Sequence, residues 1–158
     1  MSDSDPSRPS ARTAALRYLS HRPRSESEVR TRLRRDFPGP LVEEIIAEFK
    51  EQALLDDVKF AKMWSDGRDS TKPRSTWAIK QELRAKGIND NLAEQAVQGI
   101  DNEDAAYRAA EPLAHRIHGN DIANFRHRLQ GLLKHRGFSP SVSLRVAARL
   151  WDDISIRR

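Results

Sequence analysis

Apolar residues recur along this chain at two intervals, one short and one long. Val29 and Leu33 stand four apart, as do Ile79 and Leu83, and Leu129 and Leu133. An i, i+4 spacing places both side chains on one helix face. Each pair then repeats its predecessor after 50 residues, and Val42, Leu92 and Val142 keep the same register. Pro23-Arg24-Ser25 likewise returns as Pro73-Arg74-Ser75. A fixed period of this length marks a repeat architecture, in which each unit packs mainly on its neighbours.

Helix boundaries punctuate the pattern into nine predicted helices, three per unit. The first runs from Thr13 to about His21, with Ala15, Leu16 and Leu19 as its apolar stripe. Ser25 caps the second, with Glu28 at capping-box spacing, and Pro38-Gly39-Pro40 ends it. The third covers about Leu41 to Ala53, with Val42, Ile45, Ile46 and Phe49 on one side. Asp56 and Asp57 open the fourth, which carries Phe60, Ala61 and Trp64, and Asp66 to Lys72 reads as a polar connector. Ser75 caps the fifth and Gly87 closes it; Asn89 or Asp90 starts the sixth and Gly99 ends it. The seventh begins near Asp101 and stops at Gly119, and Pro112 inside it is expected to kink or split it. The eighth spans about Ile122 to Arg136, and Ser139-Pro140 starts a ninth that ends near Trp151. The expected organisation is all-α: three tandem three-helix repeats over 13–54, 55–100 and 101–152, forming an elongated, curved array. Residues 1–12 are expected to be a disordered N-terminal tail and 153–158 a C-terminal tail.

Composition sharpens this outline. Hydrophobic residues make up 37% and charged residues 32%, which is polar for a compact globule and favours an extended shape. The absence of cysteine excludes disulfides, thiolate metal sites and cysteine nucleophiles. No apolar run approaches a membrane span, and the N-terminus has no hydrophobic signal core, so a soluble cytoplasmic protein is expected. Net charge is +5, which suits a polyanionic partner without naming one. The charge is also periodic. Nine bases face five acids over residues 1–40, four face eight over 41–70, and five face three over 71–100. Two face four over 101–120, and eight face three over 121–158. The base-rich stretches coincide with the middle helix of each unit. Regular stacking would align Arg24, Arg30, Arg34, Arg74, Lys80, Arg84, Arg126, Arg128 and Lys134 into one basic track.

Little in the chain suggests catalysis. Asp56 and Asp57 read as cap and dipole partner, since no histidine or lysine recurs with them. His115 and His118 share a helical face at a spacing that can hold zinc, but no third ligand is placed by the sequence. There is no glycine-rich phosphate loop and no nucleophile elbow. No catalytic residue, cofactor or metal is therefore expected. Trp64 and Trp151 lie on apolar stripes and read as core. Trp77, at a helix start beside Arg74 and Lys80, reads as a contact candidate for a phosphate or an acidic partner.

Several segments resemble the RecX family of bacterial recombination regulators. They are Tyr18-Leu19 with Arg22-Pro23-Arg24-Ser25, then Glu28-Val29-Arg30 with Leu33, and above all Leu54-Leu55-Asp56-Asp57 with Phe60-Ala61. Arg68, Lys72 and Leu83-Arg84-Ala85-Lys86-Gly87-Ile88 complete the resemblance, which covers about residues 13 to 152. Lys72-Pro73-Arg74 stands where the family often has a glycine-rich turn, and the third unit matches weakly. The resemblance implies three tandem three-helix repeats and no enzymatic activity. It also implies binding to the RecA recombinase filament, with suppression of ATP hydrolysis, strand exchange and coprotease activity in DNA repair and the SOS response. DNA, single- or double-stranded, is implied as a further partner, met directly or through the filament. A stand-alone DNA-coating protein is the alternative, and groove binding and end capping of the filament both stay open. Arg68 and Lys72 join Trp77 and the basic track as contact candidates, and a monomer is expected.

Overall fold

A computed structural model describes residues 6–157, and among them the chain forms nine helices and no strand. The helices are α1 (Arg8–His21), α2 (Glu26–Leu33), α3 (Gly39–Glu51), α4 (Asp57–Thr71), α5 (Thr76–Ala85), α6 (Asp90–Val97), α7 (Asn102–Ile117), α8 (Ile122–His135) and α9 (Pro140–Ile156). Sustained helix packing stays within the sets α1–α3, α4–α6 and α7–α9. Each set closes on its own core. The periodic pairs anchor those cores: Val29, Ile79, Leu129, Leu33, Leu83 and Leu133 are all fully buried. Ile100 packs against both the second and the third core.

The caps form as their residue types require. Ser25 and Glu28 make a reciprocal capping box on α2. Asp56, Ser75, Asn89, Asp121 and Ser139 each accept a hydrogen bond from the first turn of the following helix. Gly87 and Gly137 close α5 and α8 at positive φ, 77° and 89°.

Four expectations are corrected. First, α1 starts at Arg8, so residues 8–12 are helix and not tail; residues 1–5 of that tail lie outside the described residues. The helix is held by Ala11 and Ala15, both fully buried, while Leu16 is 47% exposed. Alanines at i, i+4 give α1 a small-residue face that seats closely on its neighbours, and this turns Leu16 outward. Second, Asp66 to Lys72 is not a connector, because α4 continues to Thr71 with Ser65 buried. Third, Pro112 does not split the helix: α7 is continuous from Asn102 to Ile117. Pro112 is itself exposed, so its ring does not enter the core of the third unit. Fourth, α9 runs to Ile156 with Ile154 buried in the third core, so 153–156 belongs to the fold.

The units join through one repeated junction. The Ser25 hydroxyl, at the N-terminus of α2, donates to the Lys86 carbonyl at the end of α5, at 2.6 Å. Fifty residues on, the Ser75 N–H donates to the Arg136 carbonyl at the end of α8, at 3.1 Å. A second bond repeats with it. The Glu26 N–H, first in α2, donates to Asp57 Oδ1, and the Thr76 N–H, first in α5, donates to Asn102 Oδ1, both at 2.9 Å. The first helix of each following unit thus caps the middle helix of the unit before it. The middle helices abut head to tail, with carbonyl ends against amide ends, an arrangement their dipoles favour. A Cβ on Gly87 would lie 2.2 Å from Ser27 Cβ, and one on Gly137 would lie 2.6 Å from Ser75 Oγ. Glycine is required at both positions by close approach as well as by φ. The result is an elongated helical repeat.

Candidate interaction surface

The basic helices predicted by the charge pattern do abut one another through these junctions, but their charges are not equivalent. Arg30 bonds Glu43 at 2.7 Å and Glu26 at 3.1 Å, and Arg34 shares Glu43 at 3.2 Å. Hydrogen bonding to Arg30 holds the Glu43 carboxyl below its ordinary pKa. Lys80 pairs with Glu94 and Arg84 with Asp90, at 3.0 and 2.7 Å. Arg68 pairs with Glu82 at 2.7 Å and lies 5.0 Å from the Trp64 ring centre. Arg74 faces the other oxygen of Glu82 at 3.8 Å. Arg24 stacks on Tyr18 at 3.9 Å and donates to the Tyr18 carbonyl. With its side chain only 13% exposed, Arg24 is a structural group of the first unit.

Five candidates stand apart. Lys72, Trp77, Arg126, Arg128 and Lys134 are exposed, and none of the four cations has a carboxylate within 4.0 Å among the described residues. Trp77 is 61% exposed, far more open than the partly buried Trp64 and Trp151. Trp151 packs at 5.0 Å on Phe125 and at 4.5 Å on His118, which gives it the core role its stripe predicted.

The difference between the units has a sequence cause. Glu43 of α3 meets Arg30 and Arg34 of α2, and Asp90 and Glu94 of α6 meet Arg84 and Lys80 of α5. At the matching places α9 has Ser143 and Leu144, and its only acids, Asp152 and Asp153, come at its far end. On the middle helices of the first two units, Arg30, Arg34, Lys80 and Arg84 are therefore compensated, whereas Arg126, Arg128 and Lys134 on α8 keep no carboxylate partner among the described residues. A continuous basic track across all three units is not what the ion pairs leave.

Sequence reasoning missed the junction residues. Glu28 is the most connected: it accepts from Arg22 and from the Ser25 N–H, with Lys86 of the next unit at 3.6 Å. Burial works to raise its pKa, yet the Arg22 and Ser25 hydrogen bonds and the Lys86 charge hold it below the ordinary value. Asp57 was read as a dipole partner of its own helix, but its carboxylate caps α2, and burial pushes its pKa up. The recurrence of Ser25 and Ser75, and of Gly87 and Gly137, was the signal available. Arg136 is also drawn into the second junction, donating to the Pro73 carbonyl at 3.2 Å. Burial and the nearby Arg74 charge lower its pKa. No group of three or more metal-ligating side chains occurs among the described residues, and no described helix is long and apolar enough to cross a membrane.

Comparison with known proteins agrees with this architecture. Residues 11–49 match the family model described as the first three-helix domain of RecX, and residues 56–97 match the second. The regulatory protein RecX of Streptomyces coelicolor is 31% identical over 147 residues, covering 90% of this chain and 78% of that protein. The regulatory protein RecX of Prosthecochloris aestuarii is 33% identical over 139 residues, covering 87% and 90%. The crystal structure of RecX from Lactobacillus salivarius superposes with a TM-score of 0.78 at 28% identity, over 90% of this chain and 96% of that one. Two matched three-helix domains, relatives similar over most of their length and a shared fold establish that this chain belongs to the RecX family of regulatory proteins.

Proposed function

We propose that the protein is a non-enzymatic, mainly negative regulator of the RecA recombinase. It binds the RecA–DNA filament as a cytoplasmic monomer and lowers ATP hydrolysis, strand exchange and coprotease activity in DNA repair and the SOS response. The observation that carries this reading is the repeated junction. Three self-cored units joined through a repeated junction form a regular array, which suits a partner that is itself a repeating polymer. Weak contacts from each unit then reinforce one another.

The test is recombinase ATPase on single-stranded DNA with limiting added protein, at a salt concentration that abolishes the protein's own DNA binding. Persisting inhibition is expected. Loss of inhibition in step with DNA binding would sink the proposal. It would favour the second reading, a protein that coats nucleic acid, for which the unpaired Arg126, Arg128 and Lys134 on α8 speak.

A further inference from the structure

Leu16, Leu54 and Met63 are among the few large apolar side chains left open to solvent, at 47%, 46% and 41% exposure. They are not scattered. All three line one groove of about 760 Å³ between α1 of the first unit and α4 of the second. Leu19 and the mostly buried Phe60 also line it, so its wall is continuous with both cores. An apolar groove of this kind on an otherwise polar surface marks a contact site.

The rim of the groove is basic. His21 and Lys59 have no carboxylate partner within 4.0 Å among the described residues, and Arg22, also lining the groove, keeps 39% of its side chain exposed while bonded to Glu28. The one carboxylate in the lining, Asp56, is engaged in capping α4. The backbone adds a further mark. Ala53, also in the lining, is the only described non-glycine residue at positive φ, 59°, and Leu54, next in the chain, lines the groove as well.

From the apolar lining and the basic rim, we infer that this groove docks a segment of the recombinase that presents large apolar side chains flanked by carboxylates. The inference rests on the filament-regulator reading and names the chemistry of one contact within it. Apolar anchors would fill the space over Leu16, Leu54 and Met63, and the flanking carboxylates would meet His21 and Lys59. Because the walls belong to different units, an occupant bridges the first junction and fixes its angle. The groove shares no lining residue with α8.

The test compares wild type with Leu16→Asp, Met63→Asp and Lys59→Glu. Lys59 is exposed in the first turn of α4, where an acid suits the helix dipole, so that variant folds even if an aspartate in the groove does not. Binding to the recombinase filament and to single-stranded DNA alone is measured by fluorescence anisotropy, with oligomeric state followed by sedimentation. The expected result is at least a tenfold weaker filament affinity for each variant, with DNA affinity within twofold of wild type. If wild type binds the filament and the variants bind it equally well, the groove assignment is overturned while the filament reading stands. If wild type fails to bind the filament at all, both fall. A wild type that self-associates and variants that do not would overturn the assignment in favour of a second copy of this chain.

Discussion

Gly87→Ala tests the junction directly. The substitution has two consequences that the geometry separates. Alanine at φ 77° costs about 1–2 kcal/mol for its left-handed backbone. Its Cβ would also stand 2.2 Å from Ser27 Cβ and 2.4 Å from Ser27 Oγ. Ser27 Cβ is fixed by the α2 backbone, so the two helices must part by more than an ångström. That parting breaks the 2.6 Å bond from Ser25 to the Lys86 carbonyl, worth about 1 kcal/mol. The total loss is about 2–4 kcal/mol, including the packing given up around the opened junction. Urea denaturation followed by circular dichroism measures it. The decisive arm is a double-mutant cycle with Ser27→Gly, which removes both clashing atoms. In that background Gly87→Ala should cost only the backbone share, about 1–2 kcal/mol. Equal costs in the two backgrounds, or a loss under about 0.5 kcal/mol in wild type, would refute the close approach of α5 to α2.

Three further outcomes are expected. Asp57 has a raised pKa in the fold, so its charged form is less favourable there than in the unfolded chain, and above the folded pKa it subtracts stability. Asp57→Asn, which copies Asn102 at the second junction, should gain on wild type at neutral pH and lose that gain as pH falls through the raised value toward the ordinary 3.8. Asp57→Ala leaves the Glu26 N–H uncapped and should cost about 1 kcal/mol, both read from thermal melts across pH. Ala53→Gly relieves a left-handed alanine and should raise stability by about 0.5–1 kcal/mol in the same melts. Joint reversal of Arg126, Arg128 and Lys134 to Glu should lower the log-affinity against log-salt slope for single-stranded DNA by about 2, whereas reversal of the paired Arg30, Arg34 and Arg84 should change it little.

Much of the architecture was readable before any coordinates. Val29, Leu33 and their counterparts reported the core because burial at i, i+4 leaves a periodic trace, and Ser25, Ser75 and Ser139 reported helix starts because capping is local chemistry. Ala11 and Ala15 left a weaker trace, since alanine is buried and exposed with similar ease, and so the start of α1 and the outward turn of Leu16 were missed. The basic track failed for a different reason. Composition counts charges, but Arg30 and Glu43 lie thirteen residues apart and meet only through the packing of α2 on α3.

The sequence by itself determined three basic helical units, their period and most of their caps, because each depends on residues within a few turns of one another. The tertiary structure alone decided which cations remain free, that Asp57 and Asn102 cap helices of the preceding unit, and that Leu16, Leu54 and Met63 share a groove. Those depend on which distant segments touch, and a repeat length fixes the step of an array without fixing what meets across it.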